Sequence, residues 1–152
     1  MTAMVDIGDP APEFTLAGVP DGLYSLSDFL GHIVVLAFYP ADNSPVCTTQ
    51  LRSYTVDKKS FENLGSIVLG ISPQGVASHV RFAQDQSIGF PLLSDEDKSV
   101  AEAYGVLGPL GFYRRSVFVI NRSGTITYAH RTTAGLTFSP SSVLLKAIKE
   151  AE

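Results

Sequence analysis

Apolar residues in this chain fall into two kinds of run. The first kind is short, unbroken and rich in β-branched residues: Ile33-Val34-Val35-Leu36-Ala37-Phe38-Tyr39, the stretch 66–72 with Ile67, Val68, Leu69 and Ile71, and the stretch 116–120. Runs of that length without alternation predict strands buried on both faces. The second kind repeats every three to four positions, which predicts helices over 46–64, 76–86, 96–104 and 140–151. Ser139-Pro140 reads as a cap residue followed by proline at the first helical position. Phe14-Thr15-Leu16 and Leu23-Tyr24-Ser25-Leu26 flank Gly18, Pro20, Asp21 and Gly22, the pattern of an N-terminal β-hairpin. Asn121-Arg122-Ser123-Gly124 predicts a turn into a last strand over 125–130.

Buried strands alternating with helices predict an α/β fold, a mixed central sheet with helices on both faces and an antiparallel edge. The 152 residues contain no repeat and no linker-like stretch, so a single domain over 1–152 is expected. A hydrophobic content of 45% excludes intrinsic disorder. Eleven Lys plus Arg against fifteen Asp plus Glu give a net charge of −4 with no basic run, which argues against a nucleic-acid interface. No apolar run is long enough to span a bilayer, and Met1-Thr2-Ala3-Met4-Val5-Asp6 lacks the start of a secretory leader. A soluble protein of a reducing cytoplasm is expected, with no nucleic-acid or membrane partner.

The chemistry narrows to one cysteine. Cys47 has no partner for an intrachain disulfide or a cysteine-based zinc cage. At 100° per residue, Cys47, Leu51, Tyr54 and Phe61 share a stripe facing inward, which suits a plain buried thiol. Its surroundings suit a reactive one. Cys47 follows a buried strand and a loop dense in turn residues, Pro40, Asp42, Asn43, Ser44 and Pro45, at the strand end where α/β sheets place ligands. Ser44-Pro45 predicts an N-cap and first helical position, which puts Cys47 third. There the unpaired backbone N–H groups and the helix dipole favour a thiolate.

Local charge opposes that thiolate. No Lys or Arg precedes Arg52, whereas Asp6, Asp9, Glu13, Asp21, Asp28 and Asp42 all do. A cation must therefore arrive through the fold, and Arg114-Arg115 at the head of the strand 116–120 is the candidate supplier; an ordinary solvated strand end is the other reading. His32, His79 and His130 read as surface or boundary residues, without metal-ligand spacing. Asp95-Glu96-Asp97 reads as a complement to a helix dipole. Gly105, Gly108 and Gly111 do not form a dinucleotide fingerprint. Tyr24, Tyr39, Tyr113 and Phe112 are read as core residues in preference to a substrate mouth.

Pro40-Ala41-Asp42-Asn43-Ser44-Pro45-Val46-Cys47 resembles the Pro-x-x-x-Thr/Ser-x-x-Cys signature of the peroxiredoxins, thiol-dependent peroxidases of thioredoxin-like fold. The resemblance covers nearly the whole chain: residues 8–16, Phe90-Pro91-Leu92-Leu93-Ser94-Asp95, Ala103-Tyr104-Gly105-Val106 and 115–121 look like the family's successive segments. Thr48-Thr49-Gln50 points to the peroxiredoxin Q, or bacterioferritin comigratory protein, branch. The resemblance implies that Cys47 is the peroxidatic nucleophile, oxidised to a sulfenic acid. It implies that Pro40 shields the thiolate, that the Ser44 hydroxyl holds the peroxide in competition with capping the helix, and that Arg115 stabilises thiolate and leaving oxygen. Gln50, as a possible orienter of Arg115, and Tyr39 and Val46, as pocket or network residues, are secondary candidates.

The departures matter too. Ser44 replaces the usual threonine, Val117 and Asn121 replace threonine and aspartate, and Arg52 stands where many members of the branch carry a resolving cysteine. With one cysteine, the resemblance implies regeneration by an external thiol (thioredoxin, a glutaredoxin or a low-molecular-weight thiol), or a Cys47 link between chains. No cofactor or metal is expected, and the assembly expected is a monomer or weak homodimer. Two other readings stay open: a non-catalytic thioredoxin-like binding or thiol-storage module, and a cysteine hydrolase using one of the histidines.

Overall fold

The computed structural model describes residues 5–132 and 137–151. The first four residues of the N-terminal stretch read for a leader lie outside them.

The long unbroken runs form the centre of the sheet. β3 (Ile33–Phe38) has every residue buried and pairs parallel with β4 (Ser66–Ser72) and antiparallel with β6 (Ser116–Ile120). β7 (Ile126–Arg131) closes one edge against β6, and the hairpin β1 (Thr15–Val19) and β2 (Gly22–Ser25) closes the other. The seven strands run in the order β2-β1-β5-β4-β3-β6-β7. β5 (Leu92–Ser94) joins hairpin to centre, antiparallel to β1 and parallel to β4. It has only three residues and follows Pro91, too short for any periodic signal, and the sequence reading missed it.

Because β3 alternates, it builds two cores. Val34, Leu36 and Phe38 pack with Leu69, Ile71, Phe118, Ile120 and Tyr104 on one face. Ile33, Val35, Ala37 and Tyr39 pack with Cys47, Leu51, Tyr54, Phe61, Phe82, Leu144 and Ile148 on the other. The helices α1 (Pro45–Val56), α2 (Lys58–Asn63), α3 (Val76–Gln86) and α5 (Ser141–Glu150) supply the second face, and α4 (Ser99–Ala103) the first. Gly70 makes room in the second core. A Cβ there would lie 2.8 Å from Leu92 Cδ2 and 3.3 Å from Tyr39 Cε1.

Three of the expected helices differ in their boundaries from the sequence reading. The helix expected over 46–64 is broken at Asp57 (φ −92°, ψ 11°) into α1 and α2. Thr49, Ser53 and Thr55 each turn a hydroxyl back onto a carbonyl of α1, and such back-bonding bends helices. The helix expected over 96–104 starts only at Ser99, after a turn in which the Lys98 N–H meets the Asp95 carbonyl. It ends on Gly105 (φ +69°), a left-handed C-terminal position that glycine takes without strain. Ser139 does not cap α5: Pro140 holds the cap position and Ser139 bonds elsewhere, its Oγ 2.9 Å from the Tyr128 hydroxyl.

Candidate active site

β3 ends at Phe38, and Tyr39-Pro40 carry the chain into a loop that enters α1 at Pro45. Asn43 turns this loop with φ +64°, a conformation asparagine tolerates. Ser44 is the N-cap, its Oγ accepting the Cys47 N–H at 3.3 Å, and Pro45 opens the helix. Capping uses a lone pair of the hydroxyl and leaves its proton to donate, so a second, peroxide-holding contact is chemically compatible. Cys47 is a free thiol, 0% exposed, in the core between α1 and β3. Pro40 and Val46 are half-buried beside it in sequence, and Arg52 is exposed on α1.

The two candidate cations, Arg114 and Arg115, stand just ahead of β6. Phe38 pairs with Ser116, so one step further in the same register sets Arg115 beside Tyr39. Strand alternation decides which of the two arginines faces α1. Arg115 is in phase with Val117 and Val119, which lie in the Cys47 core. Arg114 is out of phase, and its Nε donates to the Thr132 carbonyl instead. Arg115 is only 3% exposed and donates through Nη1 to Gln50 Oε1 at 2.7 Å. Gln50 stands one helical turn after Cys47 and is itself fully buried. Its amide donates to the Tyr54 hydroxyl, which donates to the Ser139 carbonyl. Ser139 thus anchors this chain of bonds to the entry of α5 instead of capping that helix. Burial drives the Tyr54 phenol well above its ordinary range.

A second buried network lies on the other side of the loop, and the sequence reading missed it. His79 is not a surface or boundary residue: it is fully buried, with Nδ1 2.8 Å from Asp42 Oδ2 and Nε2 3.1 Å from the Leu93 carbonyl. Asp42 also accepts from the Tyr39 hydroxyl and the Ser78 hydroxyl, both at 2.7 Å. The signal was present in the helical period, since Val76, His79, Phe82 and Ala83 fall on one side of α3. Burial, then Asp42 and then the Cys47 charge hold the Tyr39 phenol well above its usual value. Burial also opposes ionisation of Asp42, but the hydrogen bonds from His79, Ser78 and Tyr39 outweigh it and hold the carboxyl below its ordinary value.

That shift has a measurable consequence. A carboxyl whose folded value is depressed stabilises the fold above its unfolded value and loses this as pH falls through the folded one. The stability advantage of the protein over Asp42→Asn, measured by urea unfolding, is therefore expected to be largest above the ordinary carboxylate range. It should shrink as pH falls from about 5 to about 2. A difference independent of pH over that range would show that the Asp42 charge is not used.

Other candidates fall elsewhere. His32 and His130 are exposed. Asp95 lies ahead of α4, where it accepts the Val100 and Ala101 N–H groups and the Tyr113 hydroxyl. Tyr39 and Tyr113 are buried and Tyr24 is half-buried on the hairpin, but Phe112 is 67% exposed and so is not core. Among the described residues no group of three or more His, Cys, Asp or Glu can hold a metal, and no helix is long and apolar enough to cross a membrane.

Comparison with known proteins gives the same picture throughout. The chain is 40% identical over 129 residues to the Haemophilus influenzae peroxiredoxin named bcp, covering 80% of this chain and 83% of that protein. It is 33% identical to the Synechocystis peroxiredoxin sll0755 over all of this chain and 82% of the relative. A crystal structure of a cysteine-to-serine mutant of Xylella fastidiosa peroxiredoxin Q superimposes with a TM-score of 0.87 at 28% identity, covering 99% of this chain and 98% of that one. Residues 7–129 match the AhpC/TSA family, and the chain belongs to it: it is a peroxiredoxin, a thiol-dependent peroxidase of thioredoxin-like fold.

Proposed function

We propose that the chain, as one domain over 1–152, reduces hydrogen peroxide and small organic hydroperoxides through Cys47 alone. The observation that carries this reading is the pairing of elements at one thiol. Cys47 stands third in α1, and Gln50, one turn on, holds the buried Arg115 of the β6 end. The Cys47 thiolate attacks the terminal peroxide oxygen, the O–O bond breaks, and the departing oxygen leaves as water or alcohol after taking a proton. Arg115 stabilises the charge on the sulfur and then on that leaving oxygen. Ser44 donates to the bound peroxide, Pro40 shields the thiolate, and Val46, Tyr39 and Gln50 shape and orient the pocket.

Cys47 is thereby oxidised by two electrons to a sulfenic acid. A thiol attacks that sulfur and displaces the oxygen as water, and a second thiol releases Cys47 from the mixed disulfide. The sequence has no second cysteine, so both thiols come from outside the chain. Thioredoxin, a glutaredoxin or a low-molecular-weight thiol is the proposed donor, in a cytoplasmic protein that works as a monomer or weak homodimer.

The test is to add stoichiometric hydrogen peroxide to reduced protein, trap with a sulfenic-acid reagent and locate the adduct by mass spectrometry. A rapid adduct on Cys47 is expected. Oxidation at the rate of free cysteine would favour a thiol-storage or binding module instead. The hydrolase reading finds no histidine base among the described residues: both His79 ring nitrogens are engaged, by Asp42 and by the Leu93 carbonyl, and His32 and His130 are exposed.

A further inference from the structure

The Asp42–His79 pair is not used by the peroxidase chemistry, yet it is built into the loop that carries it. Asp42 lies between Pro40 and Ser44, and its N–H donates to Gln74 Oε1 at 3.3 Å, just ahead of α3. Its carboxylate is held by Ser78 and His79 of α3 and by Tyr39 at the end of β3. His79 reaches on to the Leu93 carbonyl of β5. Both ring nitrogens therefore face acceptors, a carboxylate and a carbonyl, and only a doubly protonated ring satisfies both. The Tyr39 hydroxyl, 3.4 Å from Nδ1, is committed as a donor to Asp42.

The two form a buried histidine–carboxylate pair, with side chains 0% and 1% exposed. Such pairs contribute little net stability, because desolvation offsets the attraction, but breaking one is costly. Their use is positional. What this pair positions is the segment 40–44, which leads through the Ser44 cap into the first turn of α1, where Cys47 has zero exposure.

The two half-reactions make opposite demands on that segment. A peroxide brings two small oxygen atoms and reacts inside a dry, closed pocket. A thiol reductant must bring a sulfur and its substituents in line with the S–O bond of the Cys47 sulfenic acid, which the closed loop denies. Resting on the proposed one-cysteine cycle, we propose that Asp42–His79 is a latch that holds the loop closed for peroxide, and that its release limits attack by the external thiol. His79 is on this reading a positioning residue, acting through Asp42, and the latch trades reductant access for peroxide reactivity.

The experiment separates the half-reactions in the full chain. The chain has no tryptophan, so quenched samples are followed by mass spectrometry. Cys47 is oxidised with one equivalent of hydrogen peroxide, and the sulfenic acid is then reduced with dithiothreitol, in the protein and in His79→Gln. Oxidation is expected to slow several-fold in the variant while reduction speeds up about tenfold, roughly a 1.4 kcal/mol release of the closed state. Hydrogen exchange should rise over residues 40–48 and not in β3 or β6. Ser78→Ala removes one donor and keeps the pair, so it should move both rates the same way by less. It also serves if His79→Gln does not fold.

Rates unchanged within twofold, or both slowed alike, would overturn the latch while leaving the peroxidase reading intact. Absence of a sulfenic acid in the unmodified protein would instead overturn the reading beneath it.

Discussion

Replacing Arg115 by methionine lowers the rate at which hydrogen peroxide oxidises Cys47 by about 10²–10³-fold, the usual effect of removing one preorganised donor from a developing oxyanion. The size follows from burial. Arg115 is 3% exposed, so its charge acts in a medium that screens poorly, and solvent cannot readily replace it. No other cation lies on α1 before Arg52, which is exposed. Methionine fills much of the arginine stem, so the fold should survive, but the Gln50 carbonyl then loses its Nη1 partner. Lysine should recover little, because a point charge cannot contact both Gln50 and the reacting atoms as a planar guanidinium can. Arg114→Met is the internal control. Its side chain is out of phase with the Cys47 core and bonds the Thr132 carbonyl, so peroxide oxidation should change by less than about threefold, within the scatter of surface substitutions. Stopped reactions analysed by mass spectrometry give the rates. Equal losses in both variants would mean that Arg115 does not act on the reacting atoms.

That control rests on strand alternation, and alternation was legible in the sequence. Unbroken apolar runs named three central strands, and the helix over 76–86 matches α3 at both ends. Legibility failed where local patterns were short or tertiary contacts prevailed. β5 is three residues long and exists because β1 and β4 flank it. Ser139-Pro140 carries a sound capping signal, yet Ser139 is drawn to Tyr128 and Tyr54 from distant elements. At the site, the order Pro40, Ser44, Cys47 is local and readable. The contact of Arg115 with Gln50 spans 65 residues and needs the antiparallel register of β3 and β6. The burial of His79 was legible in the helical period, but its partner was not, because a histidine on an apolar helix face says nothing of what it bonds and Asp42 lies 37 residues away.

The largest loss of stability is expected at Asp95, and it should reach the active site. Asp95 is fully buried, and its carboxylate accepts the Val100 N–H at 3.1 Å, the Ala101 N–H at 2.9 Å and the Tyr113 hydroxyl at 2.5 Å. It supplies acceptors for the first N–H groups of α4, which have none within the helix. Leucine would fit the volume but leave three buried donors unmet. At about 1–3 kcal/mol for each unsatisfied group, with incomplete additivity, Asp95→Leu should cost about 3–5 kcal/mol. For a chain of this size that corresponds to a fall of about 6–20 °C in Tm, readable by circular dichroism. Asp95→Asn keeps one carbonyl acceptor and should lose about half as much. Tyr113 stands two residues before Arg115, and Lys98 fastens the same segment through the Gly111 carbonyl. Freeing Tyr113 therefore loosens the approach to Arg115, and below its own Tm the leucine variant should oxidise several-fold more slowly. If its Tm falls but its oxidation rate does not, the head of β6 is held by its pairing with β3 and β7, and the Asp95 network stabilises α4 alone.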